Sequence, residues 1–170
     1  MQARLFIGCL SLLLCTCGWT AQPGLDAGSG ADVVGEPSVE IGGANLDGIG
    51  FALWHGTDPH PNIISGPQGG QHIWVSAHTR NLWYNKLSLT VEMRDDATGD
   101  IIAPGEVTRM VTLSRDVTFD RYEGLTAFLS SPCAVADHKI RIKLTAADLY
   151  GVATSDTAVV TPVWSQPCAP

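Results

Sequence analysis

The chain has 170 residues, of which only 16% are charged, and it contains 18 glycines and 10 prolines. This composition favours short strands joined by turns over a helical bundle. The formal net charge is −7, and no cluster of lysine or arginine is present that could follow a phosphate backbone, so nucleic acid is excluded as an expected partner.

The N-terminus has the pattern of an export signal. Arg4 is the only charge before the apolar run 5–14, which is too short to span a bilayer as a helix of about 20 residues but matches the h-region of a signal peptide. The run ends in Leu14-Cys15-Thr16-Cys17, which resembles a bacterial lipobox. The resemblance implies a lipoprotein signal peptide over 1–16 and acylation of Cys17, for example with palmitate.

Two alternatives stay open for this segment, because Thr16 stands where lipoboxes usually have glycine, alanine or serine. The lipidated residue would then be Cys15, or the chain would be cleaved as an ordinary secreted or periplasmic protein. The main prediction is that an N-terminal lipid attaches the chain to the outer membrane, on its periplasmic or surface face. The membrane is therefore an expected partner.

The segment 17–37 is rich in Gly, Ala, Pro and Asp without strand or helix periodicity, and it is predicted to be a flexible tether. The folded domain is predicted over 38–170. It contains two cysteines, Cys133 and Cys168. An even pair in an oxidising compartment is most simply explained by a disulfide, which would hold the C-terminus against the domain.

Alternating apolar and polar residues recur through 38–170. The stretch 71–79 follows a turn rich in glycine and proline, and it places Ile73 and Val75 on one face and His72 and Trp74 on the other. Further strands are predicted at 38–41, 50–54, 63–64, 86–94, 101–102, 107–113, 124–129, 139–144 and 154–163, whereas 55–61 reads as a surface loop and 116–123 as too polar for a strand.

The predicted hairpin near the C-terminus resembles part of a known domain family. The alternating run 139–148, a turn with Gly151 and a second strand of Thr and Val are similar to the final hairpin of bacterial immunoglobulin-like domains. The resemblance implies an all-β, antiparallel immunoglobulin-like sandwich of about seven to nine strands. The segment 66–72 also resembles a turn-and-strand signature of uncharacterised lipoproteins of myxobacterial type, which implies a location in the envelope and no activity.

Four histidines between residues 55 and 78 raise the hypothesis of a copper or zinc site. His72 and His78 lie about 20 Å apart on an extended strand, so only one of them can serve a single ion. The remaining metal hypothesis combines His55, His60 and His72, with Asp58 as an oxygen ligand. The alternative is that these histidines are surface or hydrogen-bonded residues without a metal.

Trp74 is predicted on the outer face of its strand. It is either covered by a neighbouring loop, for which 55–61 is the expected candidate, or it anchors a binding surface for another envelope protein or a glycan. No nucleophile motif marks a catalytic serine. The sequence therefore predicts a non-enzymatic binding or structural module of the envelope without a cofactor, with a metal-binding protein as the alternative.

Overall fold

The computed structural model describes residues 35–56 and 58–168. The predicted signal peptide 1–16, the lipidation site Cys17 and nearly all of the tether lie outside the described residues. The strands are β1 (Ser38–Gly43), β2 (Ala52–Leu53), β3 (Ile63–Ser65), β4 (Gln71–Arg80), β5 (Leu87–Asp95), β6 (Ile101–Val111), β7 (Ser114–Arg115), β8 (Asp120–Leu129), β9 (Ile140–Ala147) and β10 (Ala153–Val160). A short 3-10 helix, Pro132–Ala134, follows β8.

The strands form two antiparallel sheets. The first has the order β2-β1-β4-β8-β7, and β3 pairs with β4 as a sixth strand. The second has the order β10-β9-β5-β6. The predicted all-β antiparallel sandwich is confirmed. Ten strands occur in the described part instead of seven to nine, because the count includes β2 and β7, which have two residues each.

The core lies between the two sheets. In β5 and β9 every second residue points inward, as the alternation of the sequence predicts. These inward side chains and those of β4 are at most 1% exposed: Ile73, Val75, Ala77, Leu87, Leu89, Val91, Met93, Ile140, Ile142, Leu144 and Ala146. Burying them supplies the main favourable contribution to folding.

The strand β8 begins at Asp120, inside the stretch that the sequence pattern excludes as too polar, so that prediction is wrong. Asp120 and Arg121 pair with Thr79 and His78 of β4. Ion pairs follow the ladder, with 3.2 Å between Arg115 Nε and Asp120 Oδ1. Cross-strand hydrogen bonds and opposite charges therefore extend this strand without an apolar alternation.

The strand β6 is continuous where the sequence predicts two separate stretches. It runs through Pro104 and Gly105, and its register against β5 is irregular between Glu92 and Arg94. Because β6 is the edge strand of its sheet, the missing N–H of proline removes no hydrogen bond to an outer neighbour.

The predicted disulfide joins Cys133 and Cys168, whose Cα atoms are 5.7 Å apart. The chain that leads from β10 to Cys168 lies beside β3, where the N–H of Ile63 donates a hydrogen bond of 2.8 Å to the carbonyl of Val163. The disulfide therefore fastens the C-terminal segment at the end of the sandwich that contains β3.

The two ends of β4 have different surroundings. At the Arg80 end, Ser38 at the start of β1 pairs with Arg80, and the side-chain amide of Asn81 donates a hydrogen bond of 2.9 Å to the carbonyl of Glu36. The described chain therefore enters the sandwich at the Arg80 end. At the Gln71 end, β3 takes the place of β1 beside β4. No helix in the described part of the chain is long and apolar enough to cross a membrane.

Candidate binding groove on the six-stranded sheet

A groove of about 430 Å³ lies on the outer face of the six-stranded sheet, at the Gln71 end of β4. Its floor contains His72 and Trp74 of β4 with Phe128 and Thr126 of β8, which are paired in register as His72 with Phe128 and Trp74 with Thr126. Because outward side chains at paired positions are direct neighbours, these four residues form one continuous surface. We call this surface and its walls the groove.

The glycine-rich turn after β3 forms one wall. The N–H of Gly66 donates to the carbonyl of Gly70 at 2.7 Å, and the N–H of Gly69 donates back to the carbonyl of Gly66 at 2.9 Å. Gly69 has a φ of 83°, a left-handed conformation that favours glycine. The turn is thus held by its own backbone, and it presents Pro67 and Gln68 to the groove.

Three side-chain polar atoms of residues that line the groove are buried, with less than 1 Å² of accessible surface each, and lack hydrogen-bond partners within the described part of the chain: His72 Nε2, Trp74 Nε1 and Thr126 Oγ1. A buried polar group left unpaired costs about 1 to 3 kcal/mol, and folded proteins contain few of them. Here they occupy neighbouring positions on two paired strands. The unpaired atoms therefore lie close together beneath the surface of the groove.

The groove is electrically neutral. No acidic or basic side chain, histidine apart, contributes to the lining among the described residues. His72 is only 5% exposed, and this burial lowers the pKa of its imidazole below the ordinary 6.5. The ring also packs edge-on against the indole of Trp74, with 4.3 Å between ring centroids. The imidazole is therefore neutral at pH 7.

A turn that the sequence does not single out packs against the indole of Trp74. A Cβ added at Gly48 would lie 3.1 Å from the indole, so the backbone of this turn rests against the ring. From the predicted loop 55–61, Pro61 shares a small cavity of about 20 Å³ with Trp74. That this loop is the main cover of the indole stays a prediction.

Hydrogen bonds from β4 and β8 hold the covering turn in place. Glu123 accepts the N–H of Gly50 at 2.8 Å, and the buried hydroxyl of Ser76 donates to the carbonyl of Gly50 at 3.1 Å. Gly124 leaves no room for a side chain, because a Cβ there would lie 2.6 Å from the carbonyl oxygen of Gly48. The indole is fixed between the sheet and this turn, which leaves its other side for the groove.

The histidines of the metal hypothesis have separate surroundings. His55 Nε2 lies 2.7 Å from Asp156 Oδ2, which also accepts the N–H of Ile41. His60 Nε2 is 3.6 Å from Asp58 Oδ2, and His72 lies in the groove. Within the described residues, no three His, Cys, Asp or Glu side chains form a group that could hold a metal ion. Binding of copper or zinc stays a prediction.

The sequence pattern predicted that His72 and Trp74 share the outer face of their strand. It did not predict that Thr126 and Phe128 belong to the same surface. A signal for Phe128 was present, since Leu125, Ala127 and Leu129 fill the inward positions of β8 and leave a large aromatic residue on the outward face. Phe128 is 36% exposed. A single exposed aromatic residue is common, so the informative feature is that Phe128 lies beside His72 and Trp74 in one lining.

The structure is an all-β sandwich with a groove on the outer face of one sheet. No protein-family model, curated protein or solved structure matches the chain. The resemblances to immunoglobulin-like domains and to envelope lipoproteins therefore rest on the sequence motifs alone, and the function is argued from the groove.

Proposed function

We propose that the protein is a non-enzymatic module of the cell envelope, held to the outer membrane by a lipid on Cys17, which binds a partner molecule in the groove. The observation that carries the binding role is the groove of about 430 Å³ itself, whose floor combines His72, Trp74 and Thr126 with the exposed ring of Phe128. A partner that covered this lining would remove its apolar surface from water, which is favourable.

The character of the lining supports binding over catalysis. General acid–base or nucleophilic chemistry needs a base aligned with the group that it activates and an orienting partner for that base. His72 Nε2 and the hydroxyl of Thr126 have no such hydrogen bonds, and no carboxylate lines the groove within the described chain. The groove can hold a molecule, but its side chains are not arranged to transfer a proton.

A neutral solvatochromic dye, Nile red, tests the binding role. It should be measured on the exported Cys17→Ser chain, so that neither an acyl chain nor detergent competes for the dye. We expect the wild-type groove to bind the dye and Phe128→Glu to weaken binding at least tenfold, because the charge enters the apolar lining.

The matched control is Val159→Glu. Val159 is 38% exposed on β10 of the other sheet, close to the 36% of Phe128, so this variant adds the same charge at a similar exposure away from the groove. Equal binding by wild type and Phe128→Glu, or equal losses in the two variants, would contradict a binding role for the groove.

Metabolic labelling with palmitate tests the anchor. Label should enter the wild-type protein and be absent from Cys17→Ser, whereas Cys15→Ser should retain it. Label that persists in Cys17→Ser but disappears in Cys15→Ser would move the anchor to the other cysteine. An unlabelled wild-type protein recovered in the soluble fraction would show that the chain is not lipid-anchored.

A further inference from the structure

We propose that three turns at the Arg80 end of β4 form a surface that lies against the lipid bilayer, with its aromatic side chains at the depth of the lipid head groups. The turns are 81–86, 116–119 and 148–152. We call them the entry surface, because the described chain joins the sandwich beside them. This inference rests on the proposed lipid anchor, and it adds an orientation of the domain relative to the membrane.

Hydrogen bonds join the three turns. Asp148 Oδ2 accepts the N–H of Trp83 at 3.3 Å, which fastens the turn between β9 and β10 to the turn between β4 and β5. At the last residue of β4, Arg80 Nε donates a hydrogen bond of 3.1 Å to the carbonyl of Thr118, in the turn between β7 and β8. The entry surface therefore extends across the end of both sheets.

The entry surface exposes large apolar and aromatic side chains. Val117 is 97% exposed, Tyr150 70% and Leu149 57%. Trp83 is half-buried and packs against Tyr150, with 6.0 Å between the ring centroids. Trp and Tyr are enriched where a membrane meets water, because their rings are apolar while their N–H and O–H groups bind polar neighbours. Exposed side chains of this kind, grouped on one surface, fit a bilayer contact.

The charges of the entry surface are matched within the described residues. Arg115 Nε lies 3.2 Å from Asp120 Oδ1, and the guanidinium lies 4.4 Å from the ring centre of Tyr84. Both carboxylate oxygens of Asp148 accept backbone N–H groups, from Trp83 and from its own turn. Without an excess of positive charge, contact with lipid depends on the apolar side chains and needs no anionic lipid.

The opposite end of the sandwich has a different character. Asp95, Asp96 and Asp100 lie where β5 turns into β6. The backbone N–H groups of Thr98 and Ala97 bind the carboxylate of Asp95 and hold its pKa below the ordinary value. Carboxylates that stay ionised lose water against a bilayer without gaining a partner there, so this end is disfavoured as the contact.

The place where the chain joins the sandwich favours the same end. The side-chain amide of Asn81, within the first turn of the entry surface, binds the carbonyl of Glu36. Seventeen residues lie between Cys17 and Gly35, so even a fully extended chain between them spans at most about 65 Å. Attachment at Cys17 therefore keeps lipid at a high effective concentration near the entry surface, where weak apolar contacts suffice.

Quenching of tryptophan fluorescence by brominated phosphatidylcholine tests this contact. The exported Cys17→Ser chain carries a hexahistidine tag after residue 17 and binds vesicles of phosphatidylcholine with a nickel-chelating lipid. All samples also carry Trp19→Phe, so that the residue beside the tag does not report. Emission is compared on brominated and unbrominated vesicles that contain the same amount of nickel lipid.

We expect brominated lipid to quench the emission and Trp83→Phe to remove about two thirds or more of that quenching, because Trp83 is the one tryptophan in the three turns. Trp74→Phe is the matched control. Trp74 is also half-buried but lies in the groove, so this variant should keep the quenching.

A second pair of variants tests the apolar contact itself. Leu149→Asp places a charge on the entry surface and should abolish the quenching of Trp83. Ile101→Asp is its control, since Ile101 is 58% exposed, close to the 57% of Leu149, and lies at the opposite end of the sandwich. This variant should be quenched like the wild type.

Three results would overturn the membrane contact: no quenching of the wild type, quenching that survives in Trp83→Phe but is lost in Trp74→Phe, or equal losses in Leu149→Asp and Ile101→Asp. The nickel lipid supplies the attachment, so none of these results depends on acylation of Cys17. Palmitate labelling tests the anchor separately. Quenching at Trp83 in a chain that takes up no palmitate would support the contact and overturn the anchor.

Discussion

The two outward histidines of β4 sit at opposite ends of one sheet face and have different surroundings. His78 lies between the rings of Phe51 and Phe119, with centroid distances of 3.5 and 3.7 Å and nearly parallel planes. His72 contacts Trp74 and Phe128 only edge-on, and its Nε2 has no partner in the described chain. Burial lowers the pKa of both imidazoles.

The difference shows that one strand can place the same residue type in a stacked aromatic environment at one end and beside a groove at the other. At the Arg80 end, both faces of the imidazole are covered by aromatic rings, and the charges of Glu40, Arg80, Arg121 and Glu123 act on it. At the Gln71 end, the same residue type forms part of a floor with unmet hydrogen bonds. Because departures from local packing and pairing rules concentrate at functional sites, this end of β4 is where the proposed function places the binding site.

The largest expected effect comes from removing the disulfide, which fastens the C-terminal segment at the groove end. The double variant Cys133→Ser, Cys168→Ser should lose about 3 to 4 kcal/mol of unfolding free energy in urea denaturation, because it reopens a long loop in the unfolded chain. Hydrogen exchange should rise more at the Ile63 amide, which bonds to Val163, than in β1. Uniform acceleration would show that the disulfide does not support the groove end selectively.

Gly124→Ala tests whether the covering turn is packed as tightly as its contacts indicate. The new Cβ would lie 2.6 Å from the carbonyl oxygen of Gly48, at a residue with a φ of 74°, so we expect a loss of roughly 2 to 3 kcal/mol in thermal or urea unfolding. Gly151→Ala is the control, since its φ of 82° is similar and nothing lies within 4 Å. Equal losses in both variants would mean that the Gly48 contact adds nothing.

The smallest expected effect is on the pH dependence of stability. Because burial lowers both histidine pKa values, the unfolded chain binds more protons than the folded one as pH falls below about 6.5. The stability is fully present above that pH and is lost below it, with a limit of about 1.4 kcal/mol per pH unit for each full proton.

His72→Phe should flatten this dependence more than His78→Phe, measured by urea unfolding between pH 5 and 8. His72 is buried whereas His78 is only partly buried, so the loss of water that lowers the pKa is more complete at His72. The charges on His78 act in both directions, since Glu40 and Glu123 raise its pKa and Arg121 and Arg80 lower it. A greater flattening in His78→Phe would reverse the comparison between the two ends.

The sequence correctly predicted the features that depend only on the alternation of apolar and polar residues along one strand. The core strands β4, β5 and β9 and the separation of His72 from His78 all follow from a period of two along one strand. The cysteine pair was predictable from its number and compartment.

The rest depends on which strand lies beside which. Thr126 becomes part of the groove only because β8 pairs with β4 in a register that sets it against Trp74, 52 positions earlier in the chain. The polar start of β8 at Asp120 depends on the same pairing. No local sequence signal predicts that the turn around Gly48 packs against the indole of Trp74. The position of this turn depends on Gly124 and Ser76, which come from distant strands.

The hydrogen bond between Asn81 and Glu36 fixes where the described chain joins the sandwich. From this junction, β4 runs about 25 Å to the groove, at about 3.3 Å per residue from Arg80 to His72. The described chain therefore joins the sandwich at the end of β4 opposite the groove. Under the proposed function, an extension added at residue 35 should leave dye binding in the groove unchanged.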